Sequence, residues 1–193
     1  KLLISTGASP IDPPIDGSDL NNIFTLRNVN SADRIKNFIE NNSPEQAVII
    51  GGGYIGLEMS ENLLNNNIDV TVVEQVDQLL TNFDKDMAQI VEDHLLDEGI
   101  EVITNDGVAK FKGQNEVEKV ITASGQEIET DFVLLSIGVK PNVKLAEEAG
   151  IEIGETGAIK VNSKLETSAA DIYAAGDCVE TKHMITGEKV WIP

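Results

Sequence analysis

Three glycines, Gly51, Gly53 and Gly56, fall in G-x-G-x-x-G spacing, and a carboxylate, Glu74, follows 18 positions after the last of them. Glycines so spaced let a backbone turn tightly, approach a pyrophosphate with no Cβ in the way, and pack a helix close to a strand. The helix that follows presents free N–H groups and about half a positive charge to phosphate oxygens. The chemistry on offer is recognition of a dinucleotide, with Glu74 accepting hydrogen bonds from the adenosine ribose hydroxyls. A 2′-phosphate some 4 Å from that carboxylate would be repelled by about 4 kcal/mol at an effective dielectric near 20. The stretch from Glu74 to Leu80 holds no Arg or Lys to compensate, so NADH is expected over NADPH. Glycine-rich turns also serve purely structural ends, and solvated acids are common at strand ends, so the flanking elements must carry the argument.

Those elements are legible on both sides. Ala47–Ile50 reads as a buried strand entering the loop, a helix follows to about Asn65, and Asp69–Glu74 reads as the next strand. Asp84 opens an amphipathic helix with Met87, Ile90, Val91 and Leu95 inward, ending at Gly99, and Glu101–Thr104 is a third strand. This β-α-β-α-β order is the repeating unit of a parallel sheet with helices on its faces. Upstream, Lys1–Ser5 reads as a short strand and the Pro- and Asp-rich residues 8–19 as a connector in which no helix persists. Ser31 reads as the cap of a helix with Ala32, Ile35, Phe38 and Ile39 on its apolar face. Downstream, residues 107–129 read as a small antiparallel meander, and residues 131–138 as a buried strand returning to the parallel sheet. A short helix over Lys144–Ala149, a hairpin over 151–162 and a final strand over 170–177, ending in a Gly-Asp turn, follow. The expected fold is α/β: a Rossmann-like parallel sheet with an antiparallel three-stranded meander.

With 193 residues the chain can bury roughly 70% of its unfolded surface. A hydrophobic content of 41% with 24% charged residues reads as globular. The net charge of −19 argues against nucleic acid, which needs clustered Lys and Arg. No basic amphipathic helix suits an anionic membrane surface, and the apolar runs are far shorter than the roughly 20 residues that span a bilayer. The single cysteine, Cys178, excludes an internal disulfide and fits a reducing, cytoplasmic setting. It reads as a small buried residue rather than a redox group. His94 and His183 have no second ligand at metal spacing, so no metal is expected. The chain starts within a strand pattern and stops mid-segment, as a piece of a longer polypeptide would.

Three segments together resemble the FAD-dependent pyridine nucleotide-disulfide oxidoreductases. "LLISTGASP" looks like the end of a first FAD segment, "GGGYIGLEMSENL" with "VTVVEQ" like the NAD fingerprint, and "LLSIGVKPN" with "DIYAAGDCVE" like the NAD-domain exit and second FAD motif. The Tyr of "GGGYIG" and the tail "ETKHMITGEKVWIP" look most like the coenzyme A-disulfide reductase, NADH oxidase and NADH peroxidase branch. The resemblance implies an NAD-binding domain over residues 31–161, flanked by FAD-domain pieces at 1–30 and 162–193. It further implies an absent N-terminal FAD fingerprint with its redox cysteine, and an absent C-terminal domain through which the parent enzyme forms a homodimer. The chain alone should then bind NADH and turn nothing over.

The resemblance also assigns roles. Gly51, Gly53 and Gly56 line the pyrophosphate and Glu74 takes the ribose. Tyr54 resembles a gate that moves aside for nicotinamide, although a core-facing aromatic would fit the spacing too. Glu58 matches an acidic position near the nicotinamide, or serves as a first-turn partner of the helix dipole. Gly138 matches a close approach to the nicotinamide ribose, and Val108 a position facing the adenine. Gly7 and Asp177 match FAD contacts, although a Gly-Asp turn capping a helix is an equally good account of Asp177. The implied chemistry is hydride transfer from NADH to FAD, then electron delivery to a thiol or disulfide, oxygen or peroxide. A rubredoxin- or ferredoxin-type flavin reductase without a redox cysteine, and a non-enzymatic NAD-sensing module, remain alternatives.

Overall fold

Ala47 to Ile50 are four consecutive buried residues, so their strand has no face left for solvent and needs apolar cover on both sides. Phe132–Leu135 has the same character, with no residue more than 4% exposed. In the computed structural model, which describes residues 1–193, both segments lie inside a five-stranded parallel sheet. The first elements in chain order are β1 (Leu2–Ile4), β2 (Ala8–Pro10), β3 (Ile23–Thr25), α1 (Val29–Asn42), β4 (Gln46–Ile50), α2 (Tyr54–Leu64), β5 (Asp69–Val73), α3 (Lys85–Asp97) and β6 (Glu101–Ile103). Then come β7 (Val108–Lys112), β8 (Lys119–Thr122), β9 (Glu127–Glu129), β10 (Phe132–Leu135), β11 (Val139–Pro141) and α4 (Lys144–Glu148). The last four are β12 (Ile159–Lys160), β13 (Ile172–Ala174), β14 (Val179–Lys182) and β15 (Lys189–Val190). No helix is long and apolar enough to cross a membrane.

The chain divides into two units, Pro10–Gly138 and the pair of segments Lys1–Ser9 and Val139–Pro193. In the first, the sheet runs β3-β10-β4-β5-β6 with every pair parallel. Side-chain alternation sorts its residues into two cores. Ala47, Ile49, Val70, Val72, Phe132 and Leu134 pack with Ile35, Leu57, Leu63 and Leu95 from the three helices. Val48, Ile50, Val73, Val133 and Leu135 pack with Phe111, Val120 and Ile128 from the antiparallel meander β7-β8-β9. Helices, parallel sheet and meander therefore form three layers. The expected fold class is the observed one.

Local details depart from expectation. Helix α1 is capped by Asn28, not Ser31: Asn28 has extended backbone (φ −150°, ψ 177°), and its Oδ1 accepts from the Ser31 N–H at 3.0 Å. Ser31 answers from the third helical position, its Oγ accepting from the Asn28 N–H at 2.9 Å, a reciprocal capping box. Ala32 is exposed. On α3, Met87 and Ile90 are 50% and 62% exposed, and the inward stripe is Ala88 and Leu95, both buried, with Val91 partly buried beside them. Both stripes satisfy the helical period, and packing chose the one with the small residue at the contact. The short β3 was not anticipated, and its pairing with β10 draws residues 10–30 into the sheet unit, where the sequence reading placed a border at 30/31.

The second unit has its own core of Ile4, Ala146, Ile151, Ile159, Ala174 and Cys178. Strands β1 and β13 pair in parallel. The hairpin expected over 151–162 is present, with Ile153 bridged to Ile159, the Gly154 N–H donating to the Ala158 carbonyl at 2.7 Å and the Lys160 N–H to the Glu152 carbonyl at 3.1 Å, and β12 pairs along its other edge with β14. That pairing draws residues 139–161 into this unit, whereas the sequence reading set its border at 161/162. Strand β13 is not the last, since β14 and β15 follow as an antiparallel pair. The buried Glu180 on β14 holds the preceding turn, its Oε2 accepting from the Thr156 N–H and Oγ at 2.9 and 3.0 Å.

Phe132 is fully buried and meets Phe38 edge-on at 5.5 Å and Phe24 at 6.1 Å between ring centroids. Truncation Phe132→Ala is expected to cost about 3–5 kcal/mol of unfolding free energy, read from the shift of a urea denaturation curve.

Candidate functional site

The carboxyl ends of β4, β5 and β10 bound a cavity of about 610 Å³ within the Pro10–Gly138 unit. Strand β4 lies between β5 and β10. A crevice at the carboxyl ends of parallel strands, where the chain departs to either side, is where open α/β sheets bind ligands. Gly51, Gly52, Gly53, Glu74, Val108 and Gly138 all line it.

The three motif glycines answer three different constraints. Gly51 has φ +106°, and a Cβ there would lie 2.6 Å from the Ser136 carbonyl oxygen. At Gly56 a Cβ would strike the Gly51 carbonyl and stand 2.7 Å from Ser136 Oγ, so hydrogen alone lets α2 close onto β4. Gly53 is opposite in kind: no non-neighbouring atom comes within 4 Å of the place of its absent Cβ. It is the N-cap of α2, and that helix end has neither a side-chain cap nor an acidic residue in its first turn. The first N–H groups of a helix have no intrahelical partner. Here they border open space and stay available to an anion.

Glu74 is the one charged side chain lining the cavity. Its Oε2 accepts from the Gly52 N–H at 2.7 Å and its Oε1 from the Val76 N–H at 3.1 Å. A carboxylate has about four lone-pair sites, so acceptor capacity remains for a ligand's hydroxyls. Val108 forms part of the wall, and the neighbouring Asp106 carboxylate accepts from Ser124 N–H and Oγ at 3.0 and 2.6 Å. Those hydrogen bonds from Ser124, with Thr122 next, hold the Asp106 carboxyl below its ordinary value of 3.8.

Tyr54 is 58% exposed, which removes the core-facing alternative. Its hydroxyl accepts from Asn82 Nδ2 at 2.6 Å, and its ring meets Phe83 edge-on at 6.2 Å. Glu58 is exposed on the second turn of α2, outside the cavity lining, so the first-turn dipole role does not apply. Gly138 has φ +106°, and its carbonyl accepts from the Ile11 N–H at 3.0 Å. Gly7 (φ +67°) and Asp177 belong to the other unit, on turns at the same end of the parallel β1–β13 pair. The Asp177 turn leads into β14, not a helix, and the Asp177 carbonyl accepts from Trp191 Nε1 at 2.6 Å.

Several residues that shape the site escaped the sequence reading. The Ser136 hydroxyl reaches the Ile50 and Gly51 carbonyls at 3.0 and 2.9 Å, and the Leu80 N–H donates to the Gly52 carbonyl at 2.9 Å. Nothing in their residue types announces a loop clamp. Ile11, Pro13 and Ile15 line the cavity from the connector. Their spacing of two was a usable signal of one apolar face in a stretch read only as irregular.

Residues 1–189 match the family described as pyridine nucleotide-disulphide oxidoreductase. The chain belongs to this family. A curated relative, the NAD(P)H sulfur oxidoreductase (CoA-dependent) of Pyrococcus abyssi, is 43% identical over 193 residues, covering 100% of this chain and 43% of that protein. Reduced Bacillus anthracis CoADR-RHD superposes with a TM-score of 0.96 at 42% identity, over 100% of this chain and 34% of the other. A NAD-dependent persulfide reductase from A. fulgidus gives 0.96 at 43% identity, over 100% and 36%. The chain thus spans less than half the length of these relatives.

The glycine geometry predicts unequal losses of stability for the same substitution at two positions. Gly53→Ala should lower unfolding free energy by about 1 kcal/mol or less, the scale of an N-cap change. Gly56→Ala should cost about 1–3 kcal/mol or more through overpacking against backbone. Thermal unfolding of the two variants side by side checks this. Asp106 adds a pH dependence. Because its folded pKa is depressed, its contribution is present above 3.8 and is lost as pH falls through the lower folded value. In unfolding measured between about pH 2 and 6, Asp106→Asn should flatten the acid limb.

Proposed function

We propose that this chain is the NADH-binding portion of a flavin-dependent oxidoreductase. The observation that carries the reading is the pairing of an uncapped helix start, open at Gly53, with Glu74 as the one charged group in the cavity. Backbone N–H groups from Gly53 onward take the pyrophosphate, and Glu74 takes the adenosine ribose hydroxyls while its Gly52 bond keeps the loop in register. Val108 faces the adenine, and Gly138 lets the chain pass close to the nicotinamide ribose. Tyr54 gates the nicotinamide half, and Glu58 supplies an acidic group beyond it.

The NAD-binding part expected over residues 31–161 centres on the sheet unit that carries the cavity, with FAD-domain pieces on either side. Gly7 and Asp177 are the FAD contacts, and their shared end of the β1–β13 pair supports that assignment. When bound, NADH and FAD supply a hydride donor and acceptor. The protein's part is to orient the nicotinamide and exclude water. Electrons then leave for a thiol or disulfide, oxygen or peroxide. The names of the Pyrococcus abyssi and A. fulgidus relatives favour a sulfur-containing acceptor. The parent enzyme acts as a homodimer in the cytoplasm.

Calorimetric titration tests the cofactor assignment. NADH should bind at least tenfold more tightly than NADPH, since the lining offers a 2′-phosphate one carboxylate and no cation. Gly53→Ala should weaken NADH binding at least tenfold in a folded protein, because its methyl enters the phosphate space. Equal affinity for the two nucleotides would remove Glu74 from its role.

A further inference from the structure

Asn82 does two things at once: it lines the cavity, and its Nδ2 donates to the Tyr54 hydroxyl at 2.6 Å. Tyr54 is the first residue of α2, directly after Gly53, so this bond bridges the glycine loop and the opposite wall. That wall is well fixed. The Leu80 N–H donates to the Gly52 carbonyl at 2.9 Å, the Phe83 N–H to the Leu80 carbonyl at 2.8 Å, and Gln78 Nε2 to the Phe83 carbonyl at 3.1 Å. Lys85 pairs with Asp77 at 2.6 Å across the same turn. The Tyr54 ring has no core around it, being 58% exposed, and rests only edge-on against Phe83. Its placement therefore depends on that edge contact and on one hydrogen bond to an anchored partner.

We propose that Asn82 is a positioning residue, a latch that holds Tyr54 beside Gly53 at the edge of the cavity and must release before the nicotinamide half of a dinucleotide seats. This rests on the reading of Tyr54 as the nicotinamide gate. A neutral, exposed hydrogen bond biases such a ring by about two- to tenfold, enough to favour the closed position and little enough for a ligand to overcome. A protein whose competent state is only partly populated binds more weakly by that fraction. Releasing the latch therefore tightens binding of any ligand that needs the gate open, and of no other.

The test is calorimetry of the full chain with NADH and with ADP-ribose, which carries the adenosine, both phosphates and a ribose but no nicotinamide. Asn82→Ala is expected to tighten NADH binding about two- to tenfold and leave ADP-ribose unchanged. Tyr54→Phe, which keeps the ring and loses the hydroxyl, should reproduce the effect, and the double variant should add nothing further. If Asn82→Ala weakens both ligands equally, Asn82 contacts the shared half and the latch is overturned. Additive effects of the two substitutions overturn it as well. Absence of binding of both ligands to the unsubstituted chain would instead remove the dinucleotide reading beneath it.

Discussion

Helix α2 can aim its N-terminus at the cavity only because nothing larger than hydrogen stands at position 56. A methyl there would meet the Gly51 carbonyl, the Ser136 hydroxyl and Ile49 together. With hydrogen, the helix lies against β4, and the loop between them is clamped by Ser136, just past the end of β10, and by Leu80 from the segment after β5. Three parallel strands thus converge on one short loop. Each is buried on both faces, so none can shift without opening one of the two cores. The precision of the loop is inherited from the packing of the sheet.

The electrostatics follow from the same arrangement. A chain of net charge −19 is an unlikely host for a pyrophosphate if charge is counted globally. What decides is distance. Charges beyond a Debye length of about 8 Å are largely screened, whereas backbone N–H groups act in direct contact. The one carboxylate that comes close is held by the Gly52 and Val76 N–H groups, with its remaining lone pairs suited to hydroxyls. Donors suited to an anion and a carboxylate suited to sugar hydroxyls thus sit side by side, joined by the Gly52–Glu74 hydrogen bond, without a single basic side chain in the lining.

Much of this was legible in the sequence because it depends on local rules. Runs such as Ala47–Ile50 and Phe132–Leu135 declare burial on both faces, and the glycine spacing declares a strand-to-helix turn. The parallel sheet, the meander and the cavity's glycines and acid follow. What was hidden depends on contacts between distant segments. Strand β3 exists because β10 offers it an edge, and three residues carry too little pattern to announce that. Ser136 and Leu80 matter through atoms far away in sequence. Met87 and Ile90 were misplaced because the helical period fits two neighbouring stripes, and only the packed neighbour selects Ala88.

Of the three helix starts in the sheet unit, α2 alone has neither a side-chain cap nor an acid in its first turn: α1 has its capping box, and α3, also without a side-chain cap, carries Asp86. Every helix begins with N–H groups that lack partners, and burying or leaving them unpaired costs free energy. At α1 the chain supplies the missing acceptors itself, through the reciprocal bonds of Asn28 and Ser31. At α2 it supplies none: the cap is a glycine, the first turn has no acid, and the space beyond is open. A sequence able to build a full capping box at α1 and to place an acid in the first turn of α3 leaves α2 bare where the fold opens a cavity. The polar groups a protein leaves unsatisfied at such a place are those it holds for a ligand, and donors without acceptors select an anion.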